Sequence, residues 1–162
     1  VDLGVDVGDV RVGFARSDLD GLLATPVATL ARDTAIQEIV KFSAEIDARV
    51  IMVGLPRSLN GGEGPAAAKA RAFAADLAQA LSAMTSPPGI RFVDERLTTV
   101  TAHQALTRSG RKGRKQRSVV DQVAAVMILQ QALDQHRATG KEPGEPYRTS
   151  GRSDQEETPR EG

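Results

Sequence analysis

At 162 residues, 40% of them hydrophobic, the chain suits one domain with one sizeable core rather than two. Cysteine is absent and there are only two histidines, which excludes a disulfide framework, a thiolate zinc site and a histidine-rich metal site, so any metal must be held by oxygen. The 21 basic and 21 acidic residues cancel, yet Arg108, Arg111, Lys112, Arg114, Lys115 and Arg117 crowd one short stretch while Glu142, Glu145, Asp154, Glu156, Glu157 and Glu161 lie in the tail, so the average hides a basic patch and an acidic tail.

Val1, Leu3, Val5 and Val7 alternate with Asp2, Gly4 and Asp6, a period of two that predicts a strand to about residue 7. Gly8-Asp9 reads as a turn, Val10, Val12 and Phe14 as a second strand, and Asp18-Leu19-Asp20-Gly21 as the next turn. Leu22 to Leu30 supplies a third extended segment, interrupted at Pro26, and the short links make these three an antiparallel meander. Ile36, Ile39, Val40 and Ile46 then fall at helical spacing, with Asp33 or Thr34 able to cap the helix. The continuous apolar run Val50-Ile51-Met52-Val53-Gly54 predicts a central strand covered on both faces.

After the loop from Pro56 to Gly64, an alanine-rich helix opens near Pro65, with Phe73, Leu77, Leu81 and Met84 on one side. Ile90 to Glu95 forms a fifth strand, and Thr98 or Thr99 can start a helix that stops near Gly110. Ser118 is expected to begin the last helix, which reaches about Arg137, while residues 138–162 have almost nothing to bury and are expected to be a disordered charged tail. The order predicts an α/β domain over residues 1–137, a mixed five-stranded sheet of three antiparallel and then two parallel strands flanked by helices. This order resembles the ribonuclease-H-like architecture.

Three acids from separate parts of this scheme are candidates for chemistry. Asp6 ends the first strand beside Gly8, where the plain alternative is a turn aspartate. Asp121 sits one helical turn from Ala124 and Ala125 in a stretch that is apolar all round, so an unpaired carboxylate there needs a stabiliser; a capping box, Ser118-x-x-Asp121, is the structural alternative. Asp94 and Glu95 end the fifth strand and project to opposite faces, so only one can share a site with Asp6; Glu95 is favoured, and Asp94 is a further candidate ligand or a partner for Arg96.

Carboxylates gathered from Asp6, Glu95 and Asp121 would repel one another unless Mg2+ or Mn2+ lay between them. Two such ions, about 3.5–4 Å apart, suit an in-line phosphodiester displacement in which the acids act as ligands, not nucleophiles. The stretch from Arg108 to Arg117, with Gly110 and Gly113 inside it, reads as a flexible arm that follows a phosphate backbone, with a salt slope of about −5 if all its cations reach duplex phosphates. A solvated charged loop is the alternative. The loop from Gly54 to Gly62 could wrap a phosphate with Arg57 and Ser58 as donors, and four Phe with one Tyr leave little for base stacking, so structured nucleic acid is the expected partner. His103 and His136 receive no role.

The segments Leu3-Gly-Val-Asp-Val-Gly-Asp-Val-Arg-Val-Gly13, Val53-Gly-Leu-Pro56, Asn60-Gly-Gly-Glu-Gly64, Asp94-Glu-Arg-Leu-Thr-Thr99 and Val120-Asp-Gln-Val-Ala-Ala125 resemble the YqgF/RuvX family over residues 1 to about 137. The resemblance implies a ribonuclease-H-like fold similar to the RuvC resolvases, with roles in Holliday-junction resolution or in maturing the small-subunit ribosomal RNA precursor. It also implies that Asp6, Glu95 and Asp121 are the acidic site, with Arg11 and Arg96 lining the same end of the sheet. Two other classes compete: a non-catalytic nucleic-acid-binding module of the same fold, and an actin-like ATP-binding fragment, against which the short chain and the lack of a second phosphate motif argue.

No apolar run approaches the roughly 20 residues of a membrane helix and no signal segment opens the chain, so a cytoplasmic protein is expected. Val1 stands where Met would, which suggests residues ahead of it. Paired cuts in a junction would call for a homodimer, and trimming of RNA ends only for a monomer.

Overall fold

The computed structural model describes residues 1–56, 63–94 and 113–147, with the side chains of 113–121 outside that description. Six strands form one sheet: β1 (Asp2–Val7), β2 (Arg11–Ser17), β3 (Ala24–Ala31), β4 (Val50–Leu55), β5 (Gly89–Asp94) and the two-residue β6 (Glu145–Pro146), in spatial order β3-β2-β1-β4-β5-β6. The first three strands form the expected antiparallel meander, β4 and β5 add in parallel, and β6 closes the far edge antiparallel to β5. Pro26 falls on edge strand β3, where a missing N–H costs no central ladder bond, and a register shift beside it between Phe14 and Ala15 absorbs the irregularity.

The period-two alternation separates two cores. Leu3, Val5, Val12, Phe14, Val53 and Phe92 face α1 (Arg32–Ile46) and α2 (Pro65–Leu81). Ala15, Val50, Met52 and Val93 face α3 (Gly113–Thr139), chiefly Ala125, Ile128, Leu129 and Ala132. Every residue of β4 is buried, as its unbroken apolar run requires of a strand covered on both sides. The α3 face is tight at Gly4, where a Cβ would stand 2.7 Å from Leu129 Cβ and 2.9 Å from the Ala125 carbonyl oxygen. Only glycine lets this helix lie against the middle of β1. Among the described residues no helix is long and apolar enough to cross a membrane.

Three expectations change. Helix α1 opens at Arg32, and its N-cap, Ala31, makes no side-chain bond; in place of a cap from Asp33 or Thr34, the Arg32 N–H donates to the Val10 carbonyl at 2.8 Å. A tertiary acceptor does the work that a local side chain was expected to do. Helix α3 is already formed at Gly113, ahead of Ser118, where Arg114, Lys115, Gln116 and Arg117 are good helix formers. Ser118 and Asp121 therefore lie inside the helix, and a capping box does not account for Asp121. The helix ends past residue 137, at Thr139, and residues 140–147, assigned above to the disordered tail, fold back as a strap along β5. Its anchors are backbone bonds and Arg91, not an apolar period: Arg91 donates to the Pro143 and Gly144 carbonyls at 2.7 and 3.0 Å, and the Tyr147 N–H to the Ile90 carbonyl at 2.8 Å. The helix expected from Thr98 or Thr99 to Gly110 lies outside the described residues, as do residues 148–162.

Candidate active site

The carboxyl ends of the parallel strands β1, β4 and β5 share one edge, the place where open α/β sheets bind ligands. Asp6 lies there, half-buried, paired across β2 with Gly13 and one residue beyond the last β1–β4 pair, Val5 with Val53. Its parity with Gly4 puts it on the α3 side of the sheet. Arg11, half-buried, alternates with Gly13 and Ala15 and so shares that side. Asp94 alternates with Ile90 and Phe92, which pack in the α1–α2 core, so it occupies the opposite face from Asp6.

Helix α3 runs antiparallel to β1: Leu133, His136 and Arg137 near its end line a cleft with Val1, Asp2 and Arg49, whereas Ala125 and Leu129 lie over Gly4. Gln130 holds the helix to β3 by accepting the Ala24 N–H and donating to the Leu22 carbonyl, both at 2.9 Å. The helix is continuous through residue 121, one turn before Ala125, so its backbone advances roughly 6 Å toward the Asp6 end. From Gly4 to Asp6 is a comparable advance, roughly 7 Å along the strand. Ala124, Ala125, Ile128 and Leu129 are fully buried, while Val123, Val126 and Met127 are only partly so, which corrects the all-round burial expected of this stretch.

Two cations that the sequence did not single out reach the β1–β2 turn. Arg32 of α1 donates from Nη1 to the Gly8 carbonyl at 2.9 Å, with its guanidinium 5.4 Å over the Phe73 ring, and Lys69 of α2 pairs with Asp9. The Lys69 hydrogen bond and charge hold the Asp9 carboxyl below its usual range. Gly8 N–H donates to the Arg11 carbonyl at 2.9 Å, so the turn beside Asp6 is tied to itself and to both helices. No local pattern advertises these partners, which stand 24 and 60 positions away in the chain.

Glu95, Arg96, Arg57, Arg108, Arg111 and Lys112 lie outside the described residues, and Arg114, Lys115, Arg117 and Asp121 are placed by backbone alone. Residues 114–117 are helical, so that part of the expected flexible arm belongs to α3. Among the described residues no three acidic or histidine side chains stand together. A cleft of about 380 Å3 opens at the other pole, near the start of β1, and two of the carboxylates lining it, Asp2 and Asp18, are engaged. Asp18 accepts the Leu22 and Leu23 amides at 2.7 and 3.3 Å, bonds that lower its pKa, and Asp2 accepts both Nε and Nη2 of Arg49 at 3.0 Å.

Sheet order and helices on both faces define a ribonuclease-H-like fold. Consistent with it, the chain superposes on RuvC of T. thermophilus, solved in complex with a Holliday junction substrate, at a TM-score of 0.52 and 11% identity, covering 90% of this chain and 98% of that one. Residues 1–135 match the family model RuvX, Holliday junction resolvase, and the chain belongs to that family of nucleases. Similar proteins, each provisionally named a pre-16S rRNA nuclease, occur in Streptomyces coelicolor (54% identical over 88% of this chain and 85% of that one) and Nocardioides sp. (54%, 90% and 94%). A third, from Clavibacter sepedonicus, is 49% identical over 88% of each chain.

Proposed function

We propose that this chain is a metal-dependent nuclease that hydrolyses phosphodiester bonds in structured nucleic acid, with Asp6, Glu95 and Asp121 as ligands for Mg2+ or Mn2+. The observation that carries the reading is the placement of Asp6, half-buried at the carboxyl ends of the parallel strands, on the same side of the sheet as the helix that bears Asp121. On β5 the alternation of faces supports Glu95 over Asp94 as the third ligand. The donor set fits the ion: carboxylate oxygens in a chain without cysteine suit a hard divalent cation, not a thiolate-bound zinc.

When bound, such ions lower the pKa of the attacking water and neutralise charge on the phosphodiester during displacement. The protein's part is to hold the acids at fixed spacing on a strand end and a helix, while Arg11 brings positive charge to the same side for the phosphate. Arg57, Arg96 and the cations from Arg108 to Arg117 extend that charge along the backbone of the substrate. Names borne by relatives near 50% identity favour the precursor of 16S rRNA, acted on by a cytoplasmic monomer; the family model's resolvase description supports branched DNA, cut by a homodimer.

Matched precursor-RNA and four-way-junction substrates, each with Mg2+ or Mn2+ and at two salt concentrations, decide between them. The expected result is cleavage of at least one substrate, lost in Asp6→Asn with binding largely retained. Equal cleavage by Asp6→Asn would remove the metal assignment, and binding without cleavage in the wild type would leave a nucleic-acid-binding module.

A further inference from the structure

The strap of residues 140–147 is seated with little tolerance. Gly144 has φ +71°, and a Cβ there would meet the Phe92 carbonyl oxygen within bonding distance, so no other residue fits without moving the strap off β5. Tyr147 completes the seat by packing edge-on to Phe92, ring centroids 6.3 Å apart.

Arg71 reaches the same place from α2. Its guanidinium lies 4.8 Å from the centroid of the same Phe92 ring, and its Nε and Nη2 donate to the two carboxylate oxygens of Glu63 at 2.8 and 2.7 Å. The same Nη2 stands 3.6 Å from Glu145 in β6. One planar cation thus touches the entry to α2, the middle of β5 and the strap. Lysine carries the charge but has neither the fork nor the flat face that this arrangement uses. Phe92 is two residues before Asp94, after which the chain continues to Glu95.

We propose that Arg71 is a positioning residue, which clamps the strap and the entry of α2 onto β5 and thereby fixes the strand end leading to Glu95, so that it sets the affinity of the acidic site for its metal. The proposal rests on the nuclease reading above. Arg71 acts through β5 and touches neither metal nor nucleic acid.

The test uses the full chain in five forms: wild type, Arg71→Lys, Arg71→Ala, Gly144→Ala and Asp6→Asn. Hydrogen exchange at the Tyr147 amide reads the strap, and Mn2+ affinity, from the spin-resonance signal of free Mn2+ without nucleic acid, reads the site. Arg71→Ala and Gly144→Ala should each speed exchange at Tyr147 and weaken Mn2+ binding about tenfold, the low end of what supporting residues around metal ligands show. Arg71→Lys should fall between them and the wild type, and keeps the question open to measurement if the alanine variant folds poorly. Faster exchange with Mn2+ affinity within about twofold of wild type would overturn the proposal, leaving a purely structural clamp. Unchanged exchange in Arg71→Ala would overturn it too. A wild type that binds no Mn2+, or an Asp6→Asn that binds it equally well, would instead bring down the metal reading itself, with the exchange data still reporting whether the clamp exists.

Discussion

Adjacent residues on a strand project to opposite faces, and on β5 this separates Val93, buried against α3, from Phe92, buried against α1 and α2. Asp94 follows the parity of Phe92, and Asp6 that of Gly4 under α3, so the two carboxylates belong to different sides of the sheet. In the proposed reading Asp6 holds a divalent ion; removing such a charge forfeits several kcal/mol of transition-state stabilisation, and about 4 kcal/mol is a factor of roughly a thousand in rate. Asp6→Asn should therefore lower kcat by about that factor, whereas Asp94→Asn should lower it only about tenfold, the low end of the loss expected of a residue that supports the site. Single-turnover cleavage by the two variants, side by side, checks this. Equal losses would mean that Asp94 is a ligand despite its parity.

At the scale of elements, the contact of α3 with β1 decides where the site can form. Gly4→Ala would place a methyl 2.7 Å from Leu129 Cβ and 2.9 Å from a backbone oxygen, so the helix must shift. Overpacking of this kind typically costs about 1–3 kcal/mol, and Leu129→Ala about 2–5 kcal/mol from the opposite cause, a cavity. Urea denaturation should show both losses. Only Gly4→Ala, by lifting the helix that carries Asp121, should also weaken Mn2+ binding by more than the loss of folded protein explains. Elements whose boundaries follow apolar periodicity were readable in the amino-acid order: the central strand β4 from its unbroken apolar run, α2 from Pro65 and its alanines. Those governed by distant partners were not. Arg32 starts α1 on the Val10 carbonyl, and the strap is held by Arg91 and by Gly144 against Phe92, none of which leaves a periodic trace. Around the candidate site, the strand-end position expected of Asp6 is found, whereas the helix bearing Asp121, expected to be buried all round, is only partly buried at Val123, Val126 and Met127; Lys69 and Arg32 left no signal, because they reach the neighbouring turn only through the tertiary fold.

Across the whole molecule, the edge at the start of β1, opposite the one that carries Asp6, has its own carboxylate bridge to the strap. Arg49, immediately before β4, joins Asp2 at 3.0 Å to Glu142 at 2.7 Å; His136 of α3 stands 3.9 Å from Glu142, and Arg91 of β5 adds its charge. The hydrogen bond and charge of Arg49 hold the Glu142 carboxyl below its ordinary value of 4.5, against a smaller opposing effect of burial. A carboxyl whose pKa is lower folded than unfolded contributes stability that is complete above its unfolded pKa and is lost as pH falls through the folded one. The strap should therefore stay docked at neutral pH and loosen as the pH drops below about 4.5, with the sheet still folded. Because Glu142 is 38% exposed, solvent screening limits the effect to about 0–1 kcal/mol. Exchange at Tyr147, followed from about pH 6 to about pH 3 and corrected for intrinsic rates, should accelerate relative to that of β4 in the wild type. In Glu142→Gln it should be faster at neutral pH and lose that acid-dependent rise. A wild-type strap that keeps its relative protection through this range would show that Arg91 and the Gly144 seat hold it without the bridge.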